Sequence, residues 1–572
     1  MTHTFSTIAL ASVLALPLAG CGSDGDAAPT PLVNVDQKVA CASLQGQTIP
    51  AAEIGLATSG ATVVAAVDTT DTDASGRSRI YCKVTGNILP AFASASNIRF
   101  QVNLPKSWNQ RSLQFGGGGT NGSVVTGLNA FSGAPVDVAT PLARGYVTFG
   151  SDSGHDSAGK PPFDTSFALN QEELMNFAQW QIKKTSDVAK SLTQKMYAQK
   201  PKFNYFAGGS QGGHESFDAA QRYGDDYDGV IAHYPAFNVM NMWLGAQGQA
   251  RAIYGNALGV ASPAWMNPAK VANLVTHVRT QCDMLDGVAD GLISDVRGCN
   301  AKVTVASVKA ALRCANGADT GDTCLSDAQL NAVEKIASPV QYSFAFADGR
   351  NTYPRWPILE GGHFLSNHLG KTNTADLVKF PFIPDGTAFQ LFPAKGGIQG
   401  FITKNLTADP LAFDPFSWVA RILEVSSWTD ATSTDLRKFS ARGGKLLLTH
   451  GTIDDSISPH NTIAYWERLI AANGAAEVEK YARFYLIAGQ GHGDGLFRTG
   501  HDWLTALENW VELKQAPGAL VGKDQNTGTE TSATNGRTRP LCLYASWLKY
   551  TGPATPTQAQ ANDAANFTCT TY

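Results

Sequence analysis

A strand-turn-helix pattern around Ser210 constrains the fold of this chain more than any other feature. The apolar run 205–207 predicts a strand, and residues 214–222 have the spacing of a helix. Between them lies Gly208-x-Ser210-x-Gly212. Small residues on both sides of a serine suit a sharp turn with an exposed side chain, and such a serine can act as a nucleophile beside a histidine. Ordinary turns contain the same residues, so the motif needs support from the rest of the chain.

The length of 572 residues exceeds one compact core of ordinary size. We therefore expect one large catalytic domain with a substantial insertion, or two domains. The net charge is −4 and 16% of the residues are charged. This balance gives no electrostatic reason to expect nucleic acid as a partner.

Strand and helix patterns alternate on both sides of Ser210, which favours an α/β fold with a parallel sheet and crossover helices. Residues 171–197 have helical spacing, and the alternating run 98–104 predicts a strand with one buried face. Further strands are predicted at 112–115, 145–150, 227–232, 445–449 and 485–488. Between the third and fourth of these, residues 235–430 are irregular and rich in glycine, proline and aromatic residues, which we interpret as an inserted lid domain. The catalytic domain then comprises residues 41–234 and 431–572.

Four consecutive glycines, Gly116–Gly119, follow the predicted strand 112–115. Glycines at a strand end let the backbone approach a ligand closely. In serine hydrolases this position supplies the second oxyanion donor. A flexible loop is the alternative interpretation.

An acid and a histidine follow Ser210 in the order that α/β-hydrolases use. Asp454 and Asp455 come after a late predicted strand, and spacing alone does not choose between them. His492 lies in a glycine-rich loop after the next strand. His155 precedes the serine and His501 begins a helical run, so we expect neither to be the base.

The nine cysteines indicate export. Cys21 ends an apolar run, 8–20, with the residues L-A-G-C. We interpret 1–21 as a lipoprotein-type signal peptide and 22–40 as a flexible tether, with a plain secretory signal as the alternative. The protein is then periplasmic, anchored to the outer membrane by lipid, or secreted, and it meets a membrane only through that anchor.

The other eight cysteines are even in number, which suggests disulfides in an exported protein. Pairing sequence neighbours is the simplest arrangement. It joins Cys41 to Cys82, Cys282 to Cys299, Cys314 to Cys324, and Cys542 to Cys569. The chain has no C-x-x-C, so we expect no zinc cluster.

An acidic loop inside the predicted lid is a candidate metal site. Asp283, Asp286 and Asp290 are spaced by three and four residues and interrupted by glycines. An oxygen-rich loop of this kind suits calcium better than zinc. A solvated acidic turn is the alternative.

Taken together, these motifs resemble the tannase and feruloyl esterase family of α/β-hydrolases. The resemblance covers nearly the whole chain after the signal segment. It rests on seven motifs in order: Gly116–Ser123, Gly208–Gly213, Cys282–Leu292, Cys314 with Cys324–Ser326, His450–Asp454, Gly489–His492 and Arg539–Cys542.

The resemblance implies an α/β-hydrolase fold with a large lid and a serine esterase that cleaves esters of aromatic acids of the feruloyl, galloyl or terephthalate type. It implies Ser210 as nucleophile, His492 as base and Asp454, rather than Asp455, as the orienting acid. The backbone N–H groups of Gly119 and Gln211 would form the oxyanion hole. No organic cofactor is expected.

The family also implies a structural calcium ion in the lid. Its ligands would be the carboxylates of Asp283, Asp286 and Asp290 and the backbone oxygens of Val288 and Leu292. Aromatic residues of the lid, namely Phe389, Phe392 and Trp243, are candidates for substrate contacts or for plain packing.

One departure from the family concerns two catalytic loops. The family usually has a cysteine just before the serine and another just after the histidine, joined in a disulfide. Here these positions hold Gly209 and Gly493. We expect packing and loop hydrogen bonds to align Ser210 with His492 instead.

Two rival functions stay open. The chain could be a non-catalytic surface-binding lipoprotein on a hydrolase fold, or it could be a serine peptidase or amidase.

Overall fold

The computed structural model describes residues 32–161, 163–255, 262–362, 391–526 and 536–572. The predicted signal peptide, 1–21, lies outside the described residues, as do positions 22–31 of the predicted tether. None of the described helices is long and apolar enough to cross a bilayer.

The strands of the described residues set the frame of the molecule. In chain order they are β1 (Val35–Asp36), β2 (Thr48–Ile49), β3 (Ala61–Thr72), β4 (Ser78–Ile88), β5 (Ile98–Pro105), β6 (Ser107–Trp108), β7 (Arg111–Phe115), β8 (Val147–Ser151), β9 (Phe203–Gly209), β10 (Gly229–His233), β11 (Val340–Gln341), β12 (Thr352–Tyr353), β13 (Lys445–Gly451), β14 (Ala482–Ile487), β15 (Thr499–Gly500), β16 (Leu520–Asp524), β17 (Thr538–Leu541), β18 (Ser546–Tyr550) and β19 (Phe567–Thr571).

The α-helices of the same residues follow the strands in sequence or fill the lid. They are α1 (Gln171–Met175), α2 (Gln181–Tyr197), α3 (Gln211–Gln221), α4 (Val239–Tyr254), α5 (Pro268–Cys282), α6 (Val296–Lys302), α7 (Val305–Leu312), α8 (Asp327–Ile336), α9 (Leu391–Gly396), α10 (Val419–Thr429), α11 (Arg437–Ala441), α12 (Pro459–Asn473), α13 (Ala475–Val478), α14 (Trp503–Leu513) and α15 (Gln558–Ala561).

The central sheet has ten strands in the order β14-β13-β10-β9-β7-β8-β5-β4-β3-β2. The pairs from β14 to β8 are parallel, and the pairs from β8 to β2 are antiparallel. The carboxyl ends of the parallel strands meet at one edge, which is where open α/β sheets bind ligands. The predicted α/β fold is confirmed.

One strand differs from its prediction. The run 98–104 was expected to bury a single face, but every residue of β5 except Arg99 is buried. The reason is that both faces of the strand are covered. On one face Val102 belongs to a buried cluster with Val188 of α2, and on the other Asn103 donates to the backbone oxygen of Thr126. Gln101 and Asn103 are buried with their side chains hydrogen-bonded to each other, which explains how alternating polar residues fit an interior strand.

The predicted lid lies between β10 and β13. Within its described residues it contributes no strand to the central sheet and consists of helices α4–α10 with the short hairpin β11–β12. Its helices share a buried cluster that includes Trp243, Trp356 and Phe401. Leu32–Tyr572 nevertheless form one compact unit, so the lid packs as part of the same body.

All four predicted disulfides are present. Cys282–Cys299 and Cys314–Cys324 lie in the lid, Cys41–Cys82 joins the N-terminal segment to β4, and Cys542–Cys569 joins the segment after β17 to β19.

Candidate active site

Ser210 occupies the sharp turn between β9 and α3. Its backbone has φ 59° and ψ −122°, a conformation that costs a non-glycine residue about 1–3 kcal/mol. The neighbouring glycines are required by close contacts. A Cβ on Gly208 would lie 2.4 Å from the backbone oxygen of Gly212, and a Cβ on Gly212 would lie 2.8 Å from that of Gly117. The motif therefore forms the predicted tight turn.

Ser210, His492 and Asp454 form a continuous hydrogen-bonded chain. Nε2 of His492 lies 3.0 Å from Oγ of Ser210, and Nδ1 lies 2.9 Å from Oδ2 of Asp454. The Asp454 carboxylate is fully buried and accepts two further bonds at 2.9 Å, from the N–H groups of Ser456 and Ile457. These bonds fix the carboxylate, and the carboxylate fixes the imidazole.

The electrostatics of the pair suit a proton acceptor. Burial raises the pKa of Asp454, but the positive charge of His492 and hydrogen bonds from His450 and His492 outweigh burial and hold that pKa far below its usual range. Burial lowers the pKa of His492, yet the Asp454 charge and hydrogen bond outweigh it and raise that pKa above its usual 6.5. The site thus stabilises an imidazolium.

His450, which the sequence analysis treated only as part of a motif, supports the acid. Its Nε2 lies 3.0 Å from the backbone oxygen of Ile457, to which it donates, and 3.3 Å from Oδ2 of Asp454. Its Nδ1 accepts from Oγ1 of Thr462 at 2.8 Å. His450 is fully buried, so it braces the segment that carries Asp454.

The rival histidines lie elsewhere. His155 is buried against Phe167, with ring centroids 3.8 Å apart, and burial lowers its pKa to about 4. His501 donates from Nδ1 to the backbone oxygen of Val521. Asp454, and not Asp455, is the acid whose carboxylate meets His492. The structure thus brings the predicted three side chains together.

The two predicted oxyanion donors lie in different surroundings. Gln211 is the buried first residue of α3, where backbone N–H groups have no partner within the helix. Gly119 lies in an exposed turn with φ 57°. Among the described residues, Gly116 and Gly117 line the cleft that contains Ser210. The role of Gly119 therefore stays a prediction.

Glu215 ties the glycine run to α3 and was missed by the sequence analysis. It is buried, Oε2 accepts from the N–H of Gly117 at 2.8 Å, and Oε1 accepts from Nδ2 of Asn121 at 2.7 Å. Burial raises its pKa to about 7 despite these bonds. The available signal was an acidic side chain one turn into the helix that follows the serine turn.

A cleft of about 510 Å³ opens beside Ser210 and His492. Its described walls combine apolar and aromatic side chains, Phe115, Val125, Phe131 and Tyr234 among them, with a similar share of polar groups. A cleft of this size and character suits a small organic ligand with an apolar ring.

None of the lid residues predicted as candidates for substrate contact is found among the described residues that line this cleft. Trp243 is buried in the lid core, with its ring 5.0 Å from that of Phe401 and perpendicular to it. It is absent from the described lining of the Ser210 cleft. Phe392 falls in α9, and Phe389 lies outside the described residues.

The acidic loop of the lid is crowded with like charges. Burial and the charge of Asp290 raise the pKa of Asp283 to about 6 and that of Asp286 to about 7. Oδ2 of Asp286 is buried without a hydrogen-bond partner, while Asp290 pairs with Arg539. In this conformation no three His, Cys, Asp or Glu side chains of the described residues converge closely enough to hold a metal ion.

The same loop ends against the histidine loop. A Cβ on Gly489, three residues before His492, would lie 2.4 Å from Cδ2 of Leu292. The loop therefore packs beneath one of the segments that form the site.

Comparisons with known proteins concern the family and the fold of the chain. Residues 82–570 match the family described as tannase and feruloyl esterase. An uncharacterized esterase of Agrobacterium fabrum is 37% identical over 90% of both chains. The mono(2-hydroxyethyl) terephthalate hydrolase of Piscinibacter sakaiensis is 29% identical over 86% of this chain and 84% of its own. The crystal structure of feruloyl esterase B from Aspergillus oryzae superposes with a TM-score of 0.70 at 22% identity, covering 91% of this chain and 98% of that one.

Proposed function

Because the chain belongs to the tannase and feruloyl esterase family of carboxylic ester hydrolases, we propose that it hydrolyses esters of aromatic acids through a triad of Ser210, His492 and Asp454 and a covalent acyl-enzyme. The observation that carries the proposal is the hydrogen-bonded chain from Oγ of Ser210 through both ring nitrogens of His492 to Asp454.

Acylation begins when Nε2 of His492 takes the hydroxyl proton as Oγ of Ser210 attacks the ester carbonyl carbon. The tetrahedral intermediate then collapses. Its bond to the alcohol oxygen breaks, and the imidazolium of His492 returns the proton to the leaving alcohol. The acid remains as an ester of Ser210.

Deacylation repeats the steps with water. His492 takes a proton from the water, whose oxygen attacks the acyl carbon. The bond to Oγ breaks as the proton passes to Ser210, and the aromatic acid leaves. Asp454 keeps the imidazole in the tautomer with the proton on Nδ1 and stabilises the imidazolium at each stage.

The negative charge on the carbonyl oxygen needs preorganised donors. The N–H of Gln211, at the start of α3, is one, and the helix N-terminus adds a favourable dipole. The N–H of Gly119 is the proposed second donor. Losing one such donor typically costs about 3–4 kcal/mol of transition-state stabilisation.

The acyl group is proposed to be aromatic on two grounds. The described cleft beside Ser210 has aromatic side chains, Phe115, Phe131 and Tyr234, among its walls, and relatives are named for feruloyl esters and a terephthalate monoester. All three acids, ferulate, gallate and terephthalate, have an aromatic ring conjugated to the acyl carbon, directly in gallate and terephthalate and through a carbon–carbon double bond in ferulate.

A panel of esters tests this function. The mature chain, which lacks the predicted signal peptide 1–21, is assayed on a p-nitrophenyl ester, methyl ferulate, methyl gallate and the terephthalate monoester, beside Ser210→Ala. Ser123→Ala, an exposed serine next to the glycine run, is the matched control. We expect the parent and Ser123→Ala to turn over at least one aromatic ester and Ser210→Ala to turn over none. Cleavage of aryl amides but not esters would contradict the proposal.

We also propose that the loop 283–292 holds a structural calcium ion. The donor set fits calcium, because three carboxylates and the backbone oxygens of Val288 and Leu292 are hard oxygen ligands. The unpartnered buried Oδ2 of Asp286 supports the fit. Binding requires the carboxylates to draw together and Asp290 to be shared with Arg539. The ion would supply only cohesion of the loop.

Export is proposed from the cysteines. Four disulfides are typical of an oxidising compartment such as the periplasm or the extracellular space. Lipid attachment at Cys21 is the proposed route to a membrane, and labelling cells with a radioactive fatty acid, beside Cys21→Ala, tests it.

A further inference from the structure

We propose that Tyr234 is the positioning residue that holds the His492 loop against the Ser210 turn. The inference rests on the proposed function, since it assigns the alignment of the two proposed catalytic groups to one side chain. Tyr234 comes directly after β10 and is not a member of either loop.

The phenol ring lies against the imidazole. Tyr234 is 7% exposed, and its ring centroid lies 4.6 Å from that of His492 with an angle of 53° between the planes. Its hydroxyl forms a hydrogen bond with Oγ of Ser132, which also lines the cleft. One end of the ring is thus packed on the base and the other end is anchored.

Both catalytic loops have a glycine where they meet this ring. A Cβ on Gly209, just before Ser210, would lie 2.9 Å from the ring carbons Cε2 and Cζ and from Oη of Tyr234. A Cβ on Gly493, just after His492, would lie 3.1 Å from that same Oη. The ring therefore fills the space between the residue before the serine and the residue after the histidine. A side chain at position 209 and the ring exclude each other, and a side chain at position 493 would crowd the ring's hydroxyl.

The backbone of Tyr234 supports a functional interpretation. Its φ is 32°, in the region that favours glycine, and a bulky residue there is a conformational outlier. Its N–H donates to the backbone oxygen of Thr449 in β13 at 2.7 Å. Strained positions persist where the surrounding structure fixes them, and they concentrate at functional sites.

Tyr234 also lies between two cavities. It lines the cleft of Ser210 and a second cavity of about 250 Å³, whose described walls include Gly493 and Arg498. Without the ring, the two cavities would join, and the loop that carries His492 would have room to move. A displacement of 1 Å at a reacting group can cost about 10²-fold in rate.

The test compares Tyr234→Ala with Tyr234→Phe on the best ester of the panel. We expect Tyr234→Ala to lower kcat by about 10²-fold with KM changed by less than about threefold, because the chemistry is misaligned while the other walls of the acyl cleft remain. Tyr234→Phe keeps the ring and loses only the bond to Ser132, so it should retain kcat within about fivefold. A rise in KM with an unchanged kcat would mean that Tyr234 acts only as a substrate-contacting wall of the cleft, and it would overturn the proposal.

A double-mutant cycle tests the shared space. Gly209→Ala alone should lower kcat, because its methyl group needs the volume of the Tyr234 ring. In the Tyr234→Ala background the same change should cost less than about threefold, since the volume is then free. If the fold-losses in kcat of the two single variants multiply in the double variant, the result contradicts the proposal. Thermal unfolding of each variant separates loss of fold from loss of alignment.

Failure of this inference is distinguishable from failure of the proposed function. If Ser210→Ala keeps the activity of the parent, the proposed function fails. If Ser210→Ala is inactive and Tyr234→Ala has the kcat of the parent, only the role of Tyr234 fails. A crystal structure of Tyr234→Ala gives a readout besides activity, because the distance from Nε2 of His492 to Oγ of Ser210 should exceed 3.0 Å.

Discussion

The carboxyl edge of the parallel strands and the lid hold their residues by different means. At the sheet edge, Ser210 follows β9, Asp454 follows β13 and His492 follows β14, and hydrogen bonds of 2.9–3.0 Å join all three. In the lid, helices pack around Trp243 and Phe401, and two disulfides join neighbouring segments.

In this comparison the sheet edge positions the reacting groups, whereas the lid maintains the shape of the molecule around them. Register between parallel strands fixes where each side chain at the edge lies, and polar bonds then set its orientation. The lid positions its residues through apolar packing, which has less direction. We therefore expect substitutions at the edge to act mainly on turnover and substitutions in the lid to act mainly on stability.

The largest expected effect is at Asp454. Asp454→Asn should lower kcat by about 10⁴-fold, because the tautomer of His492 is lost. The charge that raises the pKa of His492 is also lost, so that pKa falls. Since the neutral imidazole is the base, the acid limb of kcat/KM should shift to lower pH. Asp455→Asn is the control, and a larger loss there than at Asp454 would reject the assignment.

We expect Glu215 to affect turnover as residues of the sheet edge do, because it binds the glycine run beside Ser210. Glu215→Ala removes the acceptor for the N–H of Gly117 and should lower kcat by about 10²–10³-fold, as for a lost oxyanion donor. Glu215→Gln keeps one acceptor oxygen and should lose less. Asp218→Asn, a buried carboxyl on the same helix paired with Arg222, should lower the melting temperature without lowering kcat. Equal losses of kcat at both positions would assign Glu215 to the fold alone.

Trp243 should behave as a lid residue. Trp243→Ala should lower the free energy of unfolding by about 3–5 kcal/mol, because a large buried ring leaves a cavity. KM for aromatic esters should change by less than about threefold, which steady-state kinetics at low temperature would measure. A tenfold rise in KM with unchanged stability would instead make Trp243 a substrate contact.

Calcium should have the smallest effect on turnover. Chelation should lower the melting temperature, because a ligand at a hundredfold excess over its Kd stabilises the folded state by about 2.7 kcal/mol. Asp286→Asn should melt at the same temperature with and without calcium. If the parent melts identically in chelator and in calcium, the calcium site is absent.

The sequence was most informative where local rules act. The glycines around Ser210 predicted a turn because no other residue fits it. The disulfides followed from pairing neighbours in an exported chain. The order of serine, acid and histidine excluded His155, and the glycine-rich loop favoured His492 over His501, which begins a helical run.

Features that depend on contacts between distant segments were less accessible. β5 was expected to bury one face, since alternation does not reveal its place within a ten-stranded sheet. Glu215 and Tyr234 gained their contacts only when the glycine run and the histidine loop met them. Gly209 and Gly493 indicated from the sequence that the family's disulfide is absent here. Only the structure shows that the Tyr234 ring lies between these two glycines.

The most direct test of the account is to locate the nucleophile covalently. The mature chain is incubated with a p-nitrophenyl phosphonate ester, and intact mass, peptide mapping and residual esterase activity are measured together. We predict one phosphonyl group per chain, on Ser210, with activity lost in proportion to labelling and no labelling of His492→Ala. Loss of activity with the label on another residue, or full activity with Ser210 labelled, would contradict the account.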